Sequence, residues 1–427
     1  MNPPAPFASN VKPATETSNN RQPLIAIAQV ALFLAALISL SYAVVTALGQ
    51  GKDLAMFQDM GRAWLDGRDQ TAEGRFYGPP PFASVLFAPL ALLSTLQARI
   101  VFIAINLIAT TVIILLIKRL WGETWPRKTH LYLAALLLCW APFRVTVRYG
   151  QISLIVTALV LGALLAWKKN ARLVGGLLLG LSLSKYPLTL PFALYFVWRR
   201  EWKIALTAVL TVAALTEVFA LRLGVSMFEV AAGYVRMMLQ TSITNDAHFA
   251  GATEIGPLLF GLTGNERVSS WLNIALIAGA LISMALVFRR APKAEKFHLA
   301  VVTFFSLWFV YHRIYDAVIL VIPAAAFADL IIRGTHRRIG VACMAGLALF
   351  AISIPGLMTE RLHLSAERLA ANPIGFVGLH FERLLVFWMF SLLLVLLWRF
   401  RPGVLRDSPA HSATDDDRPH ISVRRCE

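Results

Sequence analysis

Cysteines and charged residues are both scarce in this chain of 427 amino acids. The three cysteines, Cys139, Cys343 and Cys426, are far apart, so no disulfide framework and no pair with metal-ligand spacing is present. Asp, Glu, Lys and Arg together make up 15% of the residues, against about 25% in soluble domains. This composition excludes an ordinary soluble domain and a small disulfide-stabilised one.

Acidic residues are the scarcer of the two charged types. The 24 Asp and Glu are outnumbered by 40 Lys and Arg, which gives a formal net charge of +16. The basic residues fall between apolar blocks, a placement typical of membrane proteins that are oriented against anionic lipid. We therefore expect membrane lipids as partners and no nucleic acid.

Apolar blocks, by contrast, are abundant. Hydrophobic residues make up 57% of the chain and occur in blocks of about 15–25, a pattern typical of transmembrane helices. The first block, 23–49, is too long for a signal-peptide core and precedes no cleavage site, so we interpret it as a retained span. The pattern predicts an all-α polytopic membrane protein. Its twelve spans are placed at 24–48, 98–117, 130–147, 150–167, 172–184, 187–198, 204–221, 268–288, 297–311, 316–332, 339–358 and 384–398.

Dense basic clusters follow the even-numbered spans and also occur in both tails. The positive-inside rule places these clusters in the cytoplasm, so both termini are expected there. The loop at 49–97 then faces outward from a cell (inner) membrane. Disorder-like tails at 1–22 and 401–427 flank a membrane domain at 23–400. The inter-span clusters are Lys118/Arg119/Arg127/Lys128, Lys168/Lys169/Arg172, Arg199/Arg200/Lys203, Arg289/Arg290/Lys293/Lys296 and Arg333/Arg337/Arg338.

The outward loop at 49–97 predicts two interfacial helices. In residues 53–65, apolar side chains such as Leu54 and Phe57 share one helical face, and Asp59, Arg62 and Asp66 share the other. The apolar block at 79–93 would invert every later loop if it crossed the membrane. We therefore expect it to lie in the outer interface as a juxtamembrane or re-entrant helix, entered through a rigid three-proline turn.

Asp53 follows the first span directly and is the candidate catalytic residue. A carboxylate there can accept a proton from a sugar hydroxyl as that oxygen attacks an anomeric carbon. A solvated helix N-cap is an equally good interpretation of its position. Asp59 fits a solvated helix face better and is a weaker candidate for substrate contact. The loop contains no Asp-x-Asp pair, so a metal site is not indicated.

Two short outward turns carry cations. Arg148 and Gln151 lie between the third and fourth spans, and Lys185 lies between the fifth and sixth. Two cations and an amide at one depth predict a site for a lipid-linked phosphate, with Lys185 as a compact point charge. The alternative is that Arg148 and Lys185 extend to the lipid head groups.

Residues 311–316 form a polar island between two apolar spans. Ionisable groups at such a depth usually line a functional cavity. His312, Tyr315 and Asp316 are therefore candidates for substrate binding, as is Tyr77 in the first outward loop. The competing interpretation is an ordinary polar turn with a satisfied interfacial histidine.

At these residues the chain resembles the GT87 membrane glycosyltransferases of GT-C type, formerly domain of unknown function 2029. The family includes mycobacterial polyprenol-phosphate-mannose-dependent mannosyltransferases. The resemblance runs over roughly residues 24–335, and the Gly-Gln to Lys-x-Pro block is its most specific part. The matching residues are Asp53, Gly67, Tyr77-Gly78-Pro79-Pro80, Gly150-Gln151, Gly175, Gly180, Lys185-Tyr186-Pro187, Trp198-Arg199-Arg200, His312 and Tyr315-Asp316.

The resemblance implies a GT-C-type bundle and inverting transfer from a polyprenyl-phosphate sugar on the outer face, without a nucleotide-sugar site. It implies Asp53 as general base and Lys185 at the donor phosphate, with no cofactor and a lipid or glycan acceptor. The chain departs from the family pattern at 239–262, where Thr244 to His248 replace an expected Asn-Gln-Ser-like element. That segment bears on the acceptor, and the sugar itself stays open between mannose and another hexose or pentose.

Two other classes of function compete with a glycosyltransferase. A transporter or lipid-linked-sugar flippase typically has two related halves and broken helices at the bilayer midplane. The sequence has no convincing repeat, and its polar clusters lie at one membrane face. A non-catalytic assembly subunit would tolerate replacement of Asp53 by Asn.

Overall fold

The computed structural model describes residues 21–68, 78–240, 253–309, 312–334, 336–365, 368–369 and 371–399. Within these ranges the chain is helical and contains no β-strand. The helices are α1 Arg21–Gly49, α2 Lys52–Leu65, α3 Ala83–Ala91, α4 Thr95–Trp121, α5 Arg127–Cys139, α6 Ala141–Tyr149, α7 Ser153–Lys168, α8 Arg172–Ser182, α9 Tyr186–Trp198, α10 Trp202–Leu223, α11 Met227–Gln240, α12 Gly256–Thr263, α13 Glu266–Arg290, α14 Glu295–Phe309, α15 Val321–Arg333, α16 Arg337–Ala348, α17 Pro373–Leu379 and α18 Phe381–Arg399. Short 3-10 turns occupy Leu183–Lys185 and Ile314–Leu320.

The predicted all-α polytopic membrane fold is confirmed. A helix satisfies its own backbone groups, which a bilayer core requires. Eight helical stretches of the described chain are long and apolar enough to cross a membrane, or nine if the bent pair α5 and α6 counts as one span. The predicted count of twelve is reached from these nine only if the shorter helices α7 and α14 also cross the membrane and the apolar stretch at 172–198 forms two spans instead of one.

That stretch is divided by a reversal of the chain. A straight helix of 27 residues would separate its ends by about 40 Å. Instead, Arg172 before it and Glu201 after it form an ion pair with Nε 2.9 Å from Oε2. At the turn, the Thr189 hydroxyl donates to the Ser182 carbonyl at 3.1 Å. Helices α8 and α9 are therefore antiparallel, and Lys185 lies in the turn between them.

Span ends that the charge pattern assigns to the cytoplasm meet at one end of the bundle. Lys168 Nζ, at the end of α7, lies 3.1 Å from Glu295 Oε1 at the start of α14. Lys296 Nζ lies 2.8 Å from Asp329 Oδ2 near the end of α15, and Trp125 Nε1 donates to Asp329 Oδ1 at 3.1 Å. Since α7 runs from Ser153 to Lys168, its first residue belongs to the opposite end.

Close packing of α8 on α10 fixes the position of the Lys185 turn. A Cβ added to Gly176 would lie 2.7 Å from the Ile204 carbonyl oxygen, and one added to Gly180 would lie 2.6 Å from Thr211 Cβ. Such contacts are shorter than real side chains tolerate, so only glycine permits this approach. Gly176 and Gly180 therefore allow α8 to pack closely against α10.

The two short helices expected in the loop at 49–97 are present as α2 and α3, which pack as a pair. Leu54 and Phe57 are buried while Asp59 is exposed, as the amphipathic pattern predicts. The Phe57 and Phe87 rings stack with centroids 4.4 Å apart. Helix α3 is nine residues long, about 14 Å, which is too short to cross a bilayer.

Candidate active site

Four segments that are distant in sequence meet at the end of the bundle opposite the basic span ends. They are the start of α2, the turn between α6 and α7, the turn between α8 and α9, and the 3-10 segment before α15. Each contributes a polar side chain: Asp53, Gln151, Lys185 and Asp316 respectively. These side chains form one continuous chain of hydrogen bonds.

Asp53 lies in the first turn of α2 and is half-buried. The N-cap of α2 is Gly51, which makes no side-chain cap, so the interpretation of Asp53 as the capping residue is wrong. Its Oδ2 instead accepts a hydrogen bond from Gln151 Nε2 at 2.6 Å. The amide orients the carboxylate, and the helix N-terminus favours its negative charge.

Gly150 brings Gln151 to Asp53. It ends α6 in the left-handed conformation, with φ of 72°. A Cβ at this position would also lie 2.6 Å from Leu54 Cβ, on the residue next to Asp53. Two separate constraints, backbone conformation and contact with α2, therefore require glycine before Gln151.

Lys185 is the centre of the network. Its Nζ lies 2.6 Å from Asp316 Oδ1 and donates to Gln151 Oε1 and Ser153 Oγ, each at 2.9 Å. It also lies 4.4 Å from the centroid of the Tyr315 ring, a cation–π distance. These contacts turn the ammonium into the bundle, so extension toward lipid head groups is not what the structure shows.

Asp316 and His312 complete the network on the far side of Lys185. Asp316 Oδ1 accepts from the Ser153 hydroxyl at 2.7 Å, and Oδ2 lies 2.9 Å from His312 Nδ1. Both side chains are buried, and within the described residues His312 Nε2 has no hydrogen-bond partner. A buried, connected polar cluster of this kind differs from an ordinary polar turn.

Other predicted residues lie apart from this network. Arg148 Nε donates to Gln50 Oε1 at 2.5 Å, and its guanidinium lies 5.3 Å from the Tyr149 ring. Asp59 is exposed farther along α2. Tyr77 and the 244–248 segment lie outside the described residues, as do both tails.

Sequence reasoning missed three contributors. Ser153 joins Lys185 to Asp316, and the Thr146 hydroxyl lies 3.0 Å from the Tyr315 carbonyl oxygen. Glu254 Oε2 accepts from the His312 main-chain N–H at 3.2 Å. Single hydroxyls inside apolar helices give no pattern to detect. Glu254 had a signal, since it is an acidic residue two positions before the apolar helix α12. In the described part of the chain, no group of three or more His, Cys, Asp and Glu side chains is placed to bind a metal.

Comparison with known proteins identifies the family of the chain. The model of glycosyltransferase family 87 matches residues 77–310, more than half of the chain. The chain belongs to glycosyltransferase family 87. It is therefore a membrane glycosyltransferase, and the predicted family and enzyme class are confirmed.

Two relatives carry the same name, polyprenol-phosphate-mannose-dependent alpha-(1-2)-phosphatidylinositol mannoside mannosyltransferase. The protein from Mycobacterium tuberculosis is 28% identical, over 79% of this chain and 79% of its own length. The protein from Mycolicibacterium smegmatis is 31% identical, over 40% of this chain and 43% of its own length. No solved structure matches the chain.

Proposed function

We propose that this family 87 enzyme transfers mannose from a polyprenyl-phosphate donor to a hydroxyl of a lipid or glycan acceptor, with inversion at the anomeric carbon. The observation that carries the proposal is the hydrogen-bonded chain from Asp53 through Gln151 to Lys185 and Asp316. It holds a carboxylate and an ammonium at one end of the bundle, separated by a single amide. The names of the two relatives support the mannose donor.

Asp53 is the general base in this mechanism. Its carboxylate takes the proton of the acceptor hydroxyl while that oxygen attacks the anomeric carbon. The new glycosidic C–O bond forms as the bond to the phosphate oxygen breaks, and the electron pair leaves with polyprenyl phosphate. A single displacement inverts the anomeric centre. Gln151 fixes the direction of the Asp53 carboxylate, which limits the approach of the acceptor.

Lys185 stabilises the leaving phosphate. The ammonium is held by Asp316, Gln151 and Ser153, which take its three N–H donors, so a phosphate oxygen that binds Nζ directly replaces one of these partners. His312 lies behind Asp316, and the contact of its Nδ1 with Oδ2 holds that carboxylate in position beside Lys185. Arg148, outside the network, serves the lipid head group or the second phosphate oxygen.

The active site faces outward. The network lies at the end of the bundle opposite the cluster of basic span ends, which the positive-inside rule assigns to the cytoplasm. Both termini are then cytoplasmic in the inner membrane. A lipid-linked donor suits this side, since nucleotide sugars are cytoplasmic.

Sugar transfer by the purified full-length protein tests the proposal. Synthetic short-chain polyprenyl-phosphate mannose, glucose and arabinose are offered with a phosphatidylinositol mannoside acceptor, and GDP-mannose serves as a control donor. Transfer from polyprenyl-phosphate mannose with inverted stereochemistry is expected, and none from GDP-mannose. Movement of the lipid-linked sugar across a vesicle bilayer with no new glycosidic bond would instead indicate a flippase and contradict the proposal.

A further inference from the structure

A second group of buried ionisable side chains lies behind His312, and the mechanism above does not use it. It consists of Glu254, which precedes α12, together with His380 and Arg383 at the start of α18. Glu254 is 6% exposed and Arg383 is fully buried. Arg383 Nη1 contacts His380 Nδ1. Charges in such surroundings are costly and usually occur where function requires them.

Glu254 is the middle residue of the tripeptide 253–255, which makes hydrogen bonds to the main chain of His312 and Trp308. Its carboxylate accepts from the His312 N–H at 3.2 Å, and the Thr253 N–H donates to the His312 carbonyl at 3.0 Å. The Ile255 N–H donates to the Trp308 carbonyl at 2.8 Å. Both main-chain polar groups of His312 are therefore held by residues 253–255.

Nδ1 of the His312 imidazole lies 2.9 Å from Asp316 Oδ2. The direction of this ring depends on where the main chain of residue 312 lies, because Cβ is fixed by the backbone. A shift of the His312 N–H would rotate Nδ1 away from Asp316, which also orients Lys185. Glu254 therefore affects the position of Asp316 and Lys185 through His312.

Arg383 partly offsets the effect of burial on Glu254. Burial raises the pKa of Glu254 above its ordinary value, and the Arg383 guanidinium acts in the opposite direction. A carboxyl or amide oxygen at this position can accept the hydrogen bond from the His312 N–H, so the contact depends on the reach of the side chain.

We infer that Glu254 is a positioning residue that fixes the main chain of His312 and thereby the Asp316–Lys185 pair at the donor phosphate. The inference rests on the proposed function for its donor-binding consequence. Its structural consequence, order in the His312 segment, can be measured without any substrate.

Two conservative variants separate reach from charge. Glu254→Asp keeps the charge beside Arg383 but withdraws the acceptor by one methylene, whereas Glu254→Gln keeps the reach and removes the charge. Glu254→Asp is expected to raise the KM for polyprenyl-phosphate mannose by up to about tenfold, the effect of losing one hydrogen bond, with the acceptor KM unchanged. Glu254→Gln is expected to keep both KM values close to the wild type, because the hydrogen bond to the His312 N–H is retained.

Glu382→Gln is the matched control. Glu382 is also buried next to Arg383, but its Oε1 accepts from the Ser353 hydroxyl at 2.9 Å instead of from His312. Both KM values should match the wild type in this variant. Hydrogen–deuterium exchange over residues 305–320, without substrate, should rise in Glu254→Asp and stay at the wild-type level in Glu254→Gln and Glu382→Gln.

Each outcome decides the matter. A larger loss in Glu254→Gln than in Glu254→Asp, a fall in kcat with both KM values unchanged, or unchanged exchange in Glu254→Asp would overturn the inference. A wild-type protein that transfers no sugar would contradict the proposed function, while the exchange measurement would still decide whether Glu254 orders the His312 segment.

Discussion

Lys185 and Asp316 form an ion pair inside the bundle, with Nζ 2.6 Å from Oδ1 and side chains only 14% and 4% exposed. The ammonium comes from the turn between α8 and α9, and the carboxylate comes from the 3-10 segment before α15. The pair therefore joins two antiparallel hairpins at the site. It has a structural role as well as the proposed catalytic one, and experiments must separate the two.

The first prediction separates these roles with a double variant. Lys185→Met or Asp316→Asn alone leaves a buried partner unpaired and is expected to cost about 3–5 kcal/mol of stability. The double variant Lys185→Met/Asp316→Asn removes both charges and should recover most of that stability, yet bind the donor poorly. Thermal unfolding in detergent and binding of a short-chain polyprenyl-phosphate sugar provide the two measurements.

The pair Lys296–Asp329 at the opposite end of the bundle is the matched control for this experiment. Its Nζ–Oδ2 distance is 2.8 Å and both side chains are similarly buried. Asp329 Oδ2 also lies 2.8 Å from Arg333 Nε, so Lys296→Met should lose less stability than Lys185→Met, without changing the donor affinity of the folded protein. Wild-type donor affinity in the Lys185→Met/Asp316→Asn variant would remove Lys185 from the donor site.

The second prediction concerns the catalytic base. Asp53→Asn keeps the shape of the side chain and its contact with Gln151 but removes the proton acceptor. Turnover should fall by about 10²–10⁴-fold, while expression and donor binding stay close to the wild type. Asp59→Asn, on the exposed face of the same helix, should have a much smaller effect. Equal losses in the two variants would show that the base has been assigned to the wrong carboxylate or that the two act together.

The third prediction concerns the glycine that brings Gln151 to Asp53. Gly150→Ala forces a side chain into a left-handed backbone and against Leu54, which should cost about 1–3 kcal/mol. Because α2 must move, turnover should fall more than donor binding does. Gly279→Ala in α13 is the control, since its added Cβ meets no atom within 4 Å. Full turnover in Gly150→Ala would show that the close contact of Gly150 with α2 is not needed for catalysis.

Sequence periodicity predicted the parts of this fold that depend on local pattern. The buried face of α2 followed from the spacing of Leu54 and Phe57, and the reversal at Lys185 followed from a basic cluster on each side of a short apolar hairpin. Both features depend on which side chains face water, lipid or protein, and the order of apolar and charged residues along the sequence shows this directly.

Contacts between distant segments could not be predicted in the same way. The sequence placed Lys185, Gln151 and Asp316 at one membrane face. It gave no reason for Lys185 to pair with Asp316, nor for Arg148 to contact Gln50. Those choices depend on how the hairpins rotate against one another. The contact of Glu254 with His312 was missed because its partner is a main-chain N–H in a distant segment, which no side-chain pattern predicts.

The last prediction is the topology, on which the outward active site depends. In a variant with Cys139, Cys343 and Cys426 replaced by serine, single cysteines at Gly67 and Asn245 should react with an impermeant maleimide in intact cells. Cysteines at Lys169 and Arg290 should react only after permeabilisation, because they belong to the basic clusters that the positive-inside rule keeps in the cytoplasm. The ion pair between Lys168 and Glu295 requires the end of α7 and the start of α14 to lie on the same side, so the neighbouring sites 169 and 290 must also agree with each other. Labelling at Gly67 only after permeabilisation would place Asp53 in the cytoplasm, and the donor would then have to be reconsidered.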